Sequence, residues 1–371
     1  MLRAAILLIM SGACATAQDD PLTAIPPLVE AGKASYLRGD YEAARNTFEQ
    51  AWQLAQQTPA AAPIRYDVLK QMASVRAATG EFTDADDYLQ MAINWREINL
   101  GQDDPKIADD LLQSVGLCRA MKAYDRALAI LGRVMGMHRN ALGPASTALA
   151  DDYSRAALIQ LDQKKRAPAV TALTTALGIR TKLIGPLDPS LIPDLDRLGE
   201  AFVELRAYEE AEEAYRHALV IRETLYGREN ADLIATVDGL AYSLLGQKKY
   251  AEAEPMYQRL LGLWTASVGN HHPMVAIALD KVAVFYEDQK KLDQSRDALS
   301  RSNAIREHFL AVGLGQQAAV ELEAGNKAAA KELYQRALKV LEAPNPIHEE
   351  LRGEIEGLLK AIETPTAKKK K

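Results

Sequence analysis

The chain has only two cysteines in 371 residues, Cys14 and Cys118, so it can form at most one internal disulfide. If residues 1–17 are removed, as read below, Cys118 stands alone and packing must hold the fold. Cys118 lies on an apolar helical pattern and reads as a buried, inert thiol. No stretch alternates apolar and polar residues long enough to propose a sheet. No apolar run reaches the roughly 20 residues needed to cross a bilayer, so no transmembrane span is expected. A net charge of −6 without a basic stripe argues against nucleic-acid binding. Catalytic signatures are missing as well: there is no G-x-S-x-G, C-x-x-C or P-loop, and Gly313-Leu314-Gly315 reads as a broken boundary between repeats, without the third glycine of a nucleotide loop. Among the histidines there is no H-E-x-x-H; His348-Glu349 lacks its second histidine, and His271-His272-Pro273 reads as loop structure. No enzyme activity, cofactor or metal is expected.

The first residues carry a different pattern. Arg3 precedes a short apolar run, residues 4–10, and Ala15-Thr16-Ala17 fits an A-x-A cleavage site before polar Gln18-Asp19-Asp20. This reads as a signal peptide, residues 1–17, with export to a bacterial periplasm. A competing reading takes Ser11-Gly12-Ala13-Cys14 as a lipoprotein box, with Cys14 as a lipid anchor to the outer membrane.

What the chain does have is helix formers, a hydrophobic fraction of 48%, enough for a packed core, and a repeat. Gly101, Gly143, Gly185, Gly227 and Gly269 are each 42 residues apart. Pro105, Pro189 and Pro273 follow three of them by four residues, and Phe82, Tyr124, Tyr208, Tyr250 and Leu292 keep the same register, with Arg166 in the gap. Within a unit the period is helical. Leu195, Leu198, Phe202 and Leu205 form one apolar stripe; Ala211, Ala214, Tyr215, Ala218 and Leu219 form a second, which Gly227 terminates. Each unit therefore reads as two antiparallel helices, A and B, and two short loops.

Leu195-x2-Leu198-Gly199-x2-Phe202 followed by Ala211-x3-Tyr215 resembles the tetratricopeptide repeat (TPR) signature. The 42-residue period, the G-x3-P linker and YAEAEPMYQRLL at 250–261 resemble the kinesin-light-chain subtype, which implies a longer helix B than in the ordinary repeat. Gly199, with Ala73, Ala157, Ala241 and Ala283 in register, would let helix A approach its neighbours closely. The resemblance implies an all-α fold, a right-handed α-solenoid of antiparallel helix pairs. We expect a disordered leader over 18–26, one array of about eight helix pairs over 27–362 with its last helix as a cap, and a disordered basic tail over 363–371.

The resemblance also implies a non-enzymatic scaffold that binds a protein or peptide segment in a concave groove lined by helix A. There the register places Asp196, Asp238 and Asp280 in one row and Arg155, Arg197 and Lys281 in the next, with Glu200, Glu204 and Tyr242 on the same wall. Asp67, Asp109 and Asp151 form a further row. Like charges about 10 Å apart in water repel by only about 0.4 kcal/mol, so an acidic strip of this kind needs no ligand. It reads either as solvated or internally paired, or as a surface for a basic partner. A basic ladder, Lys122, Lys164, Arg206, Lys248 and Lys290, falls at the A–B turn, where a helix C-terminus favours cations. The alternative role is an accessory subunit of an envelope assembly, docked through its convex face or its ends.

Overall fold

The 42-residue register is a register of helix ends. In a computed structural model, which describes residues 21–102, 104–343 and 345–363, all the regular structure among those residues is helical. The cleavage site at Ala15 and Ala17, the lipid-anchor reading of Cys14 and the tail from 364 lie outside the described residues. Residue contacts group the chain into two units, 1–183 and 184–371, and each is described by itself.

In the first unit α1 (Pro21–Leu37) packs on α2 (Tyr41–Gln57), α3 (Ala62–Ala78) on α4 (Phe82–Leu100), and α5 (Ala108–Ala120) on α6 (Tyr124–Leu142). Next come α7 (Thr147–Asp162), which packs on α6, and α8 (Arg166–Ile184), which ends at the unit boundary. The second unit pairs α9 (Ile192–Glu204) with α10 (Tyr208–Tyr226), α11 (Ile234–Gly246) with α12 (Tyr250–Val268), and α13 (Pro273–Asp288) with α14 (Leu292–Glu323). It closes with α15 (Lys327–Val340) and α16 (Glu349–Glu363). The row Phe82, Tyr124, Arg166, Tyr208, Tyr250, Leu292 supplies the first residue of each helix B. Five of those helices are 19 residues long, the lengthening expected of the subtype. Ala85, Ala127, Ala169, Ala211 and Ala253 share one register position and are all fully buried. The next position in the row, Ser295, is also small and buried, so the contact between helices takes only small side chains there. Cys118 is fully buried, and burial pushes its thiol pKa up.

Two expectations about boundaries are corrected. Helix α1 starts at Pro21, inside the leader expected to be disordered. The apolar stripe Leu22, Ile25 and Val29 outweighs the Pro26-Pro27 pair, and Ile25 is fully buried in a cluster with Phe48. Secondly, Gly313 and Gly315 do not break the chain: α14 runs through them for 32 residues and so serves as helix B of one pair and helix A of the next. Pro255 likewise lies inside α12, which continues through it to Val268.

Five of the pairs, those beginning with α5, α7, α9, α11 and α13, are entered through a cap that the sequence reading overlooked. Asp104, Ser146, Asp188, Asn230 and His272 are in register, and each accepts a backbone N–H with its side chain. His272 Nδ1 accepts from Met274 N at 3.2 Å, which accounts for the histidine before Pro273.

The basic ladder has a conformational cause. Lys122, Lys164, Arg206, Lys248 and Lys290 all have φ between 58° and 62°, the left-handed region, where Gly39, Gly80 and Gly325 stand in other pairs. Each ends helix A in a Schellman motif. At Lys248, for instance, its N–H donates to Leu245 O at 2.8 Å, and the Lys249 N–H donates to Leu244 O at 2.9 Å. A side chain in this conformation costs about 1 kcal/mol relative to glycine. Lys248→Gly is therefore expected to raise Tm, and glycine at all five positions to raise it further. A lower Tm would show that the charges at the helix ends matter more than the backbone.

The C-terminal cap is docked through histidines. His271 precedes α13, His308 is on α14, and His348 ends the turn Pro346–His348 before α16. Their rings follow one another: His271 lies tilted against His308 with centroids 4.7 Å apart, and His308 stacks on His348 at 6.5 Å. His348 is fully buried, and its Nε2–H donates to Ala304 O at 3.0 Å. Burial first, then His271 and His348, hold the His308 pKa below the ordinary imidazole value, against Ile347 and Glu350; Glu307 lies 3.8 Å from His348 Nε2. The unfolded chain thus takes up the His308 proton at a higher pH than the folded one. Stability from this contact is present above the unfolded value, about 6.5, and falls as pH drops through it toward the folded value. Hydrogen exchange should show residues 345–363 losing protection between pH 7.5 and 5.5, with a flatter response in His308→Gln. Equal pH responses in the two proteins would reject this role.

Candidate functional site

The polar side chains of helices A and B interlock by register. Arg96, His138, Arg180, Arg222 and Arg306 occupy one position on successive B helices, with Trp264 in the remaining place. Each reaches a helix-A carboxylate. In the first unit Arg96 meets Asp110 at 3.0 Å, His138 Nδ1 meets Asp152 at 2.7 Å, and Arg180 meets Asp151 at 2.5 Å. Burial, the largest influence, raises the Asp152 pKa, against the pull of His138 and Arg155. In the second unit Arg222 grips both oxygens of Asp196, at 2.8 and 2.6 Å, and Arg306 pairs with Asp280.

This row and the ion pairs within and between A helices decide the state of the predicted residues. Asp196 is bound by Arg222, Asp238 by Lys281, and Asp280 by Arg306 and Ser302. Arg155 and Arg197 each turn back to the carboxylate three residues earlier, Asp152 at 3.4 Å and Asp194 at 3.3 Å. The strip is therefore charge-compensated within the chain, one of the two readings the sequence left open. Arg155 belongs to the first unit and the other six predicted residues to the second.

Within the second unit a cleft of about 470 Å3 brings together Asp238, Asp280, Lys281 and Tyr242. Its walls are apolar: Val203, Leu245, Ile277 and Val284, with the rings of Tyr215 and Tyr257. Tyr242, Ile277 and Val284 are 48%, 43% and 55% exposed, so the opening presents hydrocarbon to solvent. The Tyr215 and Tyr257 phenols are buried, and burial first, then nearby carboxylates, raise their pKa, so both stay protonated at physiological pH. The Tyr215 ring fits because of two glycines. A Cβ at Gly199 would lie 2.6 Å from it, and one at Gly239 would overlap it from the next helix A.

The row Ser74, Gly116, Leu158, Glu200, Tyr242, Val284 shows what distinguishes this part of the chain. In the first unit a smaller cleft of about 340 Å3 is lined at this position by Ser74 and Gly116. In the second unit, Tyr242 and Val284 stand there. Sequence reasoning named Tyr242 but missed Ile277, Val284 and the two tyrosines of the floor. Their register with Tyr242 and Tyr215 was available as a signal. Among the described residues no group of three or more His, Cys, Asp or Glu side chains is arranged to hold a metal ion. No helix among them is long and apolar enough to cross a membrane.

A family model described as tetratricopeptide repeat matches residues 195–232, and a second of the same description matches 232–308. No curated protein matches the chain. Among solved structures, the C-terminal part of a TPR repeat-containing protein from Cytophaga hutchinsonii is similar, with 12% identity, a TM-score of 0.54, and coverage of 75% of this chain and 95% of that one. BtubC (BKLC) from P. vanneervenii is similar at 19% identity and a TM-score of 0.50, covering 67% of this chain and 94% of its own. At these identities the likeness is one of fold.

Proposed function

The chain is a tetratricopeptide-repeat protein, and from that premise we propose that it holds a segment of a partner protein in the cleft of its second unit. Tetratricopeptide repeats are interaction scaffolds for protein or peptide partners and are generally non-enzymatic. The supporting observation is the exposed apolar wall of Tyr242, Ile277 and Val284 over a floor whose charges are already paired. Such a surface gains from burying hydrocarbon and has few ions to strip of water. Arg3, the apolar run 4–10 and Ala15-Thr16-Ala17 support export to the periplasm as the setting, with a lipid at Cys14 as the other form. The mass of the mature chain distinguishes a start at Gln18 from a lipidated Cys14.

A second reading has its own observation. Tyr226, Val268 and Leu310 share one register position near the end of helix B in the second unit and are 49%, 38% and 54% exposed. They would serve an accessory subunit that docks through those edges. A photocrosslinking amino acid placed at 242 and, separately, at 226 tests both readings in intact cells. A partner captured from 242 supports the cleft; capture from 226 alone transfers the function to the helix-B edge.

A further inference from the structure

The cleft is neutral at its floor, while Glu200 stands outside its lining on α9, near enough for its charge to act on the Tyr215 ring; this difference selects the occupant. Asp238 and Asp280 are neutralised by Lys281 and Arg306, and Asp196 by Arg222. Glu200 is not. It occupies the register position of Tyr242 and Val284 one helix pair earlier, is exposed, and makes no hydrogen bond or ion pair among the described residues. Arg197, three residues away, is engaged with Asp194. Partial burial and the charge of Asp196 both disfavour the Glu200 carboxylate, so a cation brought by a ligand would stabilise it.

We propose that the bound segment is basic and apolar: one aliphatic or aromatic side chain enters between Tyr242, Ile277 and Val284, and a lysine or arginine three residues away meets Glu200. The proposal rests on the cleft reading above. The spacing follows from geometry. Neighbouring helix-A axes are about 10 Å apart, and a polyproline-II backbone has three residues per turn and advances about 3.1 Å per residue, so one helix pair corresponds to three residues of ligand on a single face. An acidic segment is disfavoured, because one that runs from the cleft past α9 meets the unpaired Glu200 carboxylate.

A random peptide library displayed against the full chain tests this, with selected peptides then synthesised and measured by fluorescence anisotropy. Selected sequences are expected to pair an apolar residue with Lys or Arg three positions away. Glu200→Gln should weaken such a peptide about fivefold, and replacing the peptide's cation should give the same loss with no further loss in the variant. Val284→Asp, an exposed position that leaves folding intact, should weaken binding at least tenfold. Selected peptides without a basic position, or additive losses at Glu200, overturn the charge pairing and leave the cleft reading standing. Unchanged binding in Val284→Asp, or a library that yields no binder, overturns both.

Discussion

Asp110→Ala is expected to destabilise the first unit by about 3 kcal/mol, which for a unit of this size lowers Tm by roughly 6–12 °C. Asp110 is fully buried and accepts from the Tyr66 hydroxyl at 2.8 Å; Lys70 Nζ is 2.8 Å away and Arg96 3.0 Å. The Arg96 guanidinium also lies over the Tyr66 ring, 4.0 Å from its centroid. Removing the carboxylate leaves two cations facing each other and a buried hydroxyl without its acceptor. The side chains of Lys70 and Arg96 are 24% and 22% exposed, so they can turn partly toward water, which keeps the cost near the lower end of the range for a broken buried pair. Asp110→Asn preserves the bond from Tyr66 and should cost about half as much. The same position is Val68 one pair earlier and Ala278 in the second unit, so the fold accepts an apolar residue there when no cations converge on it. Asp110→Val combined with Lys70→Leu and Arg96→Leu should accordingly recover most of the loss seen with Asp110→Ala. Equal or additive losses in thermal or urea melts would show that the cluster is not a coupled unit.

That cluster also marks where the sequence stopped being legible. The helix pairs, their A–B turns and the 19-residue B helices followed from the glycine, proline and aromatic rows, because those residues act locally: on φ, on helix starts and on the next turn. The lysine ladder was located correctly but explained by charge. Its positive φ could be inferred only from Gly39, Gly80 and Gly325 at matching places. The aspartate rows were located too, but two of the partners lie on B helices, 26 residues away for Asp196 with Arg222 and for Asp280 with Arg306, while Asp238 pairs with Lys281 on the next helix A. Whether a helix-B cation bends to the preceding or the following helix A depends on packing that no local pattern encodes. Arg96 goes forward to Asp110, whereas Arg306 goes back to Asp280. Of the cleft, the sequence showed Tyr242 and the charged residues Asp238, Asp280 and Lys281 but not the apolar walls or the tyrosine floor, since the floor comes from residues whose periodicity marks them as core. Helix α14 was misread for the opposite reason: Gly313 and Gly315 are local breakers by composition, yet neither adopts positive φ and both are held within a helix packed on α13 and α15.

Gly239→Ala should change sign with its background. In the natural chain it inserts a methyl group into the Tyr215 ring, which is 5% exposed and backed on its other side by Gly199. The ring cannot retreat, because any shift away from α11 drives it onto α9, where a Cβ at Gly199 would already be 2.6 Å from it. Overpacking of this kind costs about 1–3 kcal/mol, more than the roughly 1 kcal/mol that alanine gains over glycine in a helix. The net effect is destabilising. In a Tyr215→Ala background, itself about 3–5 kcal/mol less stable, the ring is gone and only the helical preference remains, so Gly239→Ala should now stabilise by up to about 1 kcal/mol. The coupling between the two sites then equals the clash itself, roughly 1–3 kcal/mol, and is measurable from four urea melts. Destabilisation of similar size in both backgrounds would place the clash with the backbone instead of the ring. Because Tyr215 and Gly239 both line the cleft, the same four proteins link packing to binding. A ring displaced by the methyl group must move within the cavity that receives the ligand, so Gly239→Ala should weaken a cleft-bound peptide even at temperatures where the protein is fully folded.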